Sequence, residues 1–203
     1  MAPRRRAWLK PAVFAGALAP LAAILWNATH HNLGANPVAE ALNELGLTAL
    51  VFLVASLACT PLREVLDWPW AVGLRRMLGL FAFFYALLHA TTYSLVDQRG
   101  NLRAIFADVT KRPFIIAGFL AFLILIPLAA TSTAKAVQRL GFARWKRLHR
   151  LVYVAGGLAI VHFVLRVKKD VREPAVYGVI LGVLLLTRVA LWAKRRAARA
   201  AAA

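Results

Sequence analysis

The sequence predicts an all-α integral membrane protein, a six-helix transmembrane bundle with both termini cytoplasmic. Three observations carry that reading. Of the 203 residues, 61% are hydrophobic and the mean hydropathy is +0.65, too apolar for a soluble domain of this length. The apolar residues fall in blocks long enough to cross a hydrocarbon core of about 30 Å. The formal charge of +18 sits at the ends of those blocks, where Lys and Arg orient and anchor membrane helices. With the basic residues placed there, no folded basic domain remains to bind nucleic acid. The single cysteine, Cys59, excludes an intramolecular disulfide and any CxxC motif.

The six spans are expected at about 11–26, 45–59, 77–96, 114–130, 148–165 and 175–192. The first follows Arg4, Arg5, Arg6 and Lys10. A secretory signal peptide has the same outline, but residues 17–23 offer no strong cleavage site, so the helix is retained, kinked at Pro20. Residues 27–44 read as a polar connection with His30-His31 and the turn signal Asn36-Pro37. The second span ends at Thr60-Pro61-Leu62-Arg63. Residues 62–74 read as a short amphipathic connection whose Trp68 and Trp70 suit the headgroup region. The third span follows Arg75-Arg76. Residues 97–112 read as a charged loop. The fourth span contains Pro127 and leads through Thr131-Ser132 into a basic loop that ends near Arg147. The fifth carries His149 and His162, and the sixth stops at Lys194-Arg195-Arg196.

Six spans put both termini on one side. That side holds Arg4, Arg5, Arg6, Lys10, Arg63, Arg75, Arg76, the six basic residues from Lys135 to Arg150, and Lys194, Arg195, Arg196 and Arg199. The other side holds Arg99, Arg103, Lys111, Arg112, Arg166, Lys168, Lys169 and Arg172. The bias is seventeen to eight, which makes the termini cytoplasmic.

Two histidines in one apolar helix need partners. Thirteen residues separate His149 from His162, about 20 Å along the axis. With helices three and five both running outward, His89 (thirteen residues after Arg76) stands level with His162 in the periplasmic half. A lone intramembrane histidine is explained by a hydrogen bond to a neighbouring helix. Two that are level on parallel helices point to axial ligation of haem iron. His149 lies at the membrane edge between Arg147 and Arg150, where a ligand and a solvated side chain both remain open. On an ideal helix His149 and His162 point about 140° apart. Gly156-Gly157 between them is read either as a kink or π-type irregularity or as a site of close packing.

The lower level pairs His149 with Arg76, a permanent cation and a poor iron ligand. Arg75, Arg76, His149 and Arg150 are therefore expected to surround the place where electrons arrive, holding quinol, flavin or a more weakly ligated haem; the alternative for Arg75 and Arg76 is membrane anchoring. Arg166, one turn after His162, is read as a propionate partner or as a snorkelling interfacial residue. Tyr85 and Tyr93 share the face of His89, and Tyr153 that of His149. They line a cofactor ring or pack the core.

Together these residues carry a family resemblance. Arg75-Arg76-x-Leu-Gly-Leu with Tyr85 and Leu88-His89, the Thr60-Pro61-Leu62-Arg63 turn, Leu128-Ala-Ala-Thr-Ser132, and Trp145-x-x-Leu-His149-Arg150-Leu-x-Tyr153 with His162 resemble the MsrQ family. That family lies within the ferric-reductase-like transmembrane group, whose members, NADPH oxidases included, carry a second helix-three histidine where this chain has Arg76. The resemblance implies electron transfer across the bacterial inner membrane through one or two haems b. The implied donor is quinol or a cytosolic flavin reductase, with FMN binding also implied. The implied acceptor is a periplasmic molybdenum-containing methionine-sulfoxide reductase of the MsrP type. The chain has no GxGxxG fingerprint, so its reducing equivalents come from another molecule. The alternatives are a stand-alone ferric or oxygen reductase haem module and a non-redox transporter or assembly protein. The eight basic residues of the outer loops are expected to steer an acidic partner or to meet lipid headgroups.

Overall fold

The computed structural model describes residues 8–167 and 170–201; Arg4, Arg5, Arg6, Lys168 and Lys169, which figure in the charge argument, lie outside the described residues. Ten α-helices follow one another: α1 (Leu9–Thr29), α2 (Pro37–Val65), α3 (Pro69–Val72), α4 (Arg75–Thr91), α5 (Leu102–Lys111), α6 (Pro113–Ala130), α7 (Ala134–Leu140), α8 (Phe142–His149), α9 (Leu151–Arg166) and α10 (Arg172–Ala201). A π-helical turn, Thr92–Asp97, prolongs α4. Six helical stretches are long and apolar enough to cross a membrane: α1, α2, α4 with its π turn, α6, α8 with α9, and α10. They alternate in direction, so both described termini lie at one end of the bundle, called here the near end.

Three stretches expected as loops are helical, and each has a cap that explains why. Asn36 accepts from the Ala39 N–H and Pro37 fills the first helical position, so α2 begins well before residue 45. Asn101 caps α5 through the Ala104 N–H, inside the expected charged loop. Thr133 caps α7 through the Ala136 N–H, inside the expected basic loop.

The bundle is built from two close helix pairs, α2 with α4 and α6 with α9, and α2 also touches α1, α9 and α10. At the centre, Leu53, Ala82, Leu125 and Ala155 form one buried cluster. Ala82 and Ala155 are fully buried, and small side chains there let backbones approach where lipid gives no hydrophobic drive. A second cluster joins α1 to the bundle through Ala17, Ile24, Leu45, Phe81 and Tyr85. Val179, Val183 and Leu186 of α10 are exposed, as a lipid-facing side requires.

Prolines inside the spans free backbone groups, and polar side chains take them up. Near Pro20 the Tyr85 hydroxyl donates to the Ala17 carbonyl at 2.7 Å and accepts from the Leu21 N–H at 3.1 Å. Those two groups are ladder partners four residues apart, so Tyr85 is inserted into α1. Pro61 cannot donate to the Leu57 carbonyl four residues earlier; Arg188 of α10 does so instead, at 2.7 Å. Of the two readings of Gly156-Gly157 the irregularity is not taken up, because α9 runs through both glycines. The break lies at Arg150, between α8 and α9, and the π turn follows α4, the helix of His89. Gly156 serves packing: a methyl there would meet Leu181 at 3.4 Å.

Candidate functional site

One arrangement occurs twice at the far end of the bundle. The His89 Nδ1 lies 2.9 Å from the Leu42 carbonyl of α2, and the His162 Nδ1 lies 2.7 Å from the Phe114 carbonyl of α6. A carbonyl only accepts, so in both rings Nδ1 carries the proton, and in the neutral ring Nε2 keeps its lone pair. Four residues after each carbonyl is a glycine. A methyl on Gly46 would stand 3.2 Å from the His89 ring, and one on Gly118 would stand 2.6 Å from the His162 Nδ1. Each imidazole thus lies in a cradle of one helical carbonyl and the glycine one turn on. A third copy uses a hydroxyl: Ser56 donates to the Arg75 carbonyl at 2.9 Å, and Gly79, four residues later, makes room for it.

The two rings are 6.1 Å apart, centroid to centroid, and nearly perpendicular at 88°. Metal–imidazole bonds of about 2 Å on opposite sides of one ion call for a separation of this size. Among the described residues no three His, Cys, Asp or Glu side chains converge. Two imidazoles are too few for a structural zinc site, but they are the full protein share for a six-coordinate haem iron. The donor set and its geometry fit haem. Arg166 hydrogen-bonds Asn43, next to Leu42, and so ties α9 to α2 beside the His89 cradle. The far-end connections spend part of their charge internally, since Arg112 pairs with Asp108 at 3.2 Å and Arg172 with Asp170 at 2.5 Å.

The other sequence-predicted residues are placed differently. Tyr85 is fully buried with its hydroxyl committed to α1, so it is a helix tie and not part of the histidine level. Tyr93 sits in the π turn and donates to Asp108 at 3.2 Å, linking α4 to α5. His149 ends α8, stacked on Trp145 at 4.1 Å, with Nε2 3.0 Å from the Thr131 hydroxyl. That hydroxyl already donates to the Pro127 carbonyl at 2.6 Å, so it accepts from His149, whose Nε2 is then the protonated nitrogen. His89 and His162 are brought together; His149 is not with them. His30 stacks at 3.9 Å on Trp26, one turn back at the end of α1.

At the near end Arg75 and Arg76 diverge. Arg76 is exposed and lines a groove of about 510 Å³ between α1 and α4 with Lys10, Phe14, Phe81 and Phe84. Arg75 turns inward, with Nη1 3.5 Å from the Thr60 hydroxyl. The inward-facing cation expected at Arg76 is thus Arg75, and Arg76 faces outward. Arg150 is exposed beyond this level. Tyr153 accepts from Arg188 Nη1 at 2.6 Å. Arg188 was not read from the sequence as a site residue, nor were Gly46, Gly118 and Thr131. The available signals were an arginine inside an apolar helix and glycines on the helices facing the histidines.

Comparisons with known proteins place the chain in a family. The family described as ferric reductase like transmembrane component matches residues 41–160, from the Leu42 carbonyl nearly to His162. A protein of Deinococcus radiodurans named protein-methionine-sulfoxide reductase haem-binding subunit MsrQ is 49% identical over 90% of this chain and 90% of its own length. Proteins of the same name from Xanthomonas euvesicatoria and Rhodospirillum rubrum are 47% and 46% identical, over 95% and 91% of this chain and 90% and 89% of their own lengths.

Proposed function

Because the chain belongs to the ferric-reductase-like transmembrane family, and within it to the MsrQ proteins, we propose that it is the haem-carrying membrane subunit of a methionine-sulfoxide reductase system, with His89 and His162 as axial ligands of a haem b. The observation that carries the proposal is the matched pair of cradles, which present two imidazoles in the same tautomer at 6.1 Å. In this reading the near end is cytoplasmic and the membrane is the bacterial inner membrane. The donor is quinol or a cytosolic flavin reductase, with FMN at the near end, and the acceptor is a periplasmic MsrP-like molybdoenzyme that carries out the methionine chemistry.

The bound haem supplies a one-electron iron couple in a low-dielectric setting. The chain's own residues do the rest. The Leu42 and Phe114 carbonyls fix each ring's orientation and tautomer, and their pull on the Nδ1 proton makes Nε2 a stronger donor. Gly46 and Gly118 hold the rings back against α2 and α6. The Arg166–Asn43 bond keeps the ends of α9 and α2 in register beside them.

The test is electron transfer across a sealed vesicle. With the purified chain in the bilayer, a trapped reductant is expected to reduce an impermeant external ferricyanide, and His162→Ala to stop that transfer. Equal transfer by His162→Ala would refute the proposal.

A further inference from the structure

At the near end, two guanidiniums converge on one stretch of α2. Ser56 donates to the Arg75 carbonyl, the Leu57 carbonyl accepts from Arg188, and Thr60 lies against the Arg75 side chain. Residues 56, 57 and 60 lie on adjacent turns of one helix, so Arg75 of α4 and Arg188 of α10 face the same place. Tyr153 of α9 closes it, with its hydroxyl on Arg188 and its ring 5.4 Å from the Arg188 Cζ.

The charge there is uncompensated. Ion pairs among the described residues involve only Arg112, Arg172 and Arg195. Each guanidinium has five N–H donors. Hydrogen bonds among the described residues use two of Arg188's and one of Arg75's. The Arg188 Nε is buried with no partner. Two cations in a low-dielectric interior with most donors idle are costly unless an anion joins them, and a planar fork of N–H groups suits carboxylate and phosphate oxygens.

We propose that Arg188 and Arg75 form an internal oxyanion site at the near end, holding the phosphate or carboxylate of a bound lipid or cofactor. The site is separate from the histidine level. Gly46 and Leu57 are eleven residues apart on α2, roughly 16 Å along the axis, too far for one ligand's acid group to serve both levels.

The test assays the purified full chain, per polypeptide, for total phosphorus, released flavin fluorescence and haem as the pyridine haemochrome. In Arg188→Gln one of these is expected to fall to about a tenth of the wild-type excess or less, and in Arg188→Lys only in part, because lysine lacks the fork. Phosphorus alone falling identifies a phospholipid phosphate. Phosphorus falling with flavin identifies a flavin phosphate, and a lost haem equivalent identifies a propionate. The low-spin haem at His89 and His162 reports folding. If Arg188→Gln fails to fold because the Leu57 carbonyl is left bare, Arg75→Gln gives the reading, since its side chain makes only one long bond. Equal contents in wild type, Arg188→Gln and Arg75→Gln, or no bound oxyanion in wild type, would overturn the proposal. Absence of a low-spin haem from wild type, with the oxyanion present, would count against the proposed function instead.

Discussion

The two ends of the bundle solve the same problem, polar groups in lipid, in opposite ways. At the far end two neutral imidazoles each satisfy one nitrogen on a helical carbonyl and leave the other free. At the near end two permanent cations meet hydroxyls and a carbonyl released by proline, and most of their donors stay idle. The far end thus offers a pair of imidazoles that need only the proposed iron. The near end is complete only with an anion. The difference teaches that polarity alone does not identify a haem level; the free lone pair does.

The sharpest way to break this comparison is at the ligands. His89→Ala and His162→Ala are each expected to lose the low-spin haem, while His149→Ala, with its ring stacked on Trp145 and bonded to Thr131, keeps most of it. Haem per polypeptide measures this, and a reversed order would remove the distinction between the ends.

The cradles predict the next largest effect. Gly118→Ala puts a methyl 2.6 Å from the His162 Nδ1, Gly46→Ala puts one 3.2 Å from His89, and Gly157→Ala meets nothing within 4 Å. Overpacking costs about 1–3 kcal/mol, so haem occupancy and thermal stability are expected to fall in the order Gly118, Gly46, Gly157, with Gly157→Ala near wild type. Equal behaviour of the three would mean the rings do not rest on those helices.

The near end is sharpened by its two adjacent arginines. A charge-assisted hydrogen bond is worth about 1.5–3 kcal/mol, so Arg75→Gln is expected to slow haem reduction by the physiological donor by roughly tenfold or more. Dithionite should still reduce the haem fully. Arg76→Ala, on the groove beside α1, is expected to change it less. Stopped-flow absorbance distinguishes them, and a larger effect at Arg76 would move the electron-receiving level out to that groove.

The smallest effect concerns the outer loops. Arg112 and Arg172 are already paired, which leaves Arg99, Arg103 and Lys111 as the exposed basic residues of the 97–112 connection. Partner reduction is expected to slow with rising ionic strength by roughly tenfold or less. A rate indifferent to salt would leave those residues to lipid headgroups.

How much of this was legible in the sequence follows from what each feature depends on. The six spans and the level of His89 with His162 follow from run lengths and a shared thirteen-residue spacing, both of which are local. The caps Asn36, Asn101 and Thr133 were also local, yet polar composition concealed the helices they start. Arg75 and Arg76 could not be separated, because which of two neighbours turns inward depends on where α2 packs. Tyr85 shares the helical face of His89 but is drawn into α1 by the backbone around Pro20. Gly46, Gly118 and Arg188 gain their meaning only from contacts between helices far apart in sequence.

The central claim, that His89 and His162 form the axial pair, is tested most directly by electron paramagnetic resonance of the oxidised protein. Imidazole planes 88° apart leave the low-spin iron orbitals nearly degenerate. Wild type and His149→Ala are therefore both expected to show a strongly anisotropic low-spin signal with one dominant low-field feature, absent from His89→Ala and His162→Ala. A rhombic spectrum typical of parallel imidazoles, or an anisotropic signal that survives in either His89→Ala or His162→Ala, would contradict it.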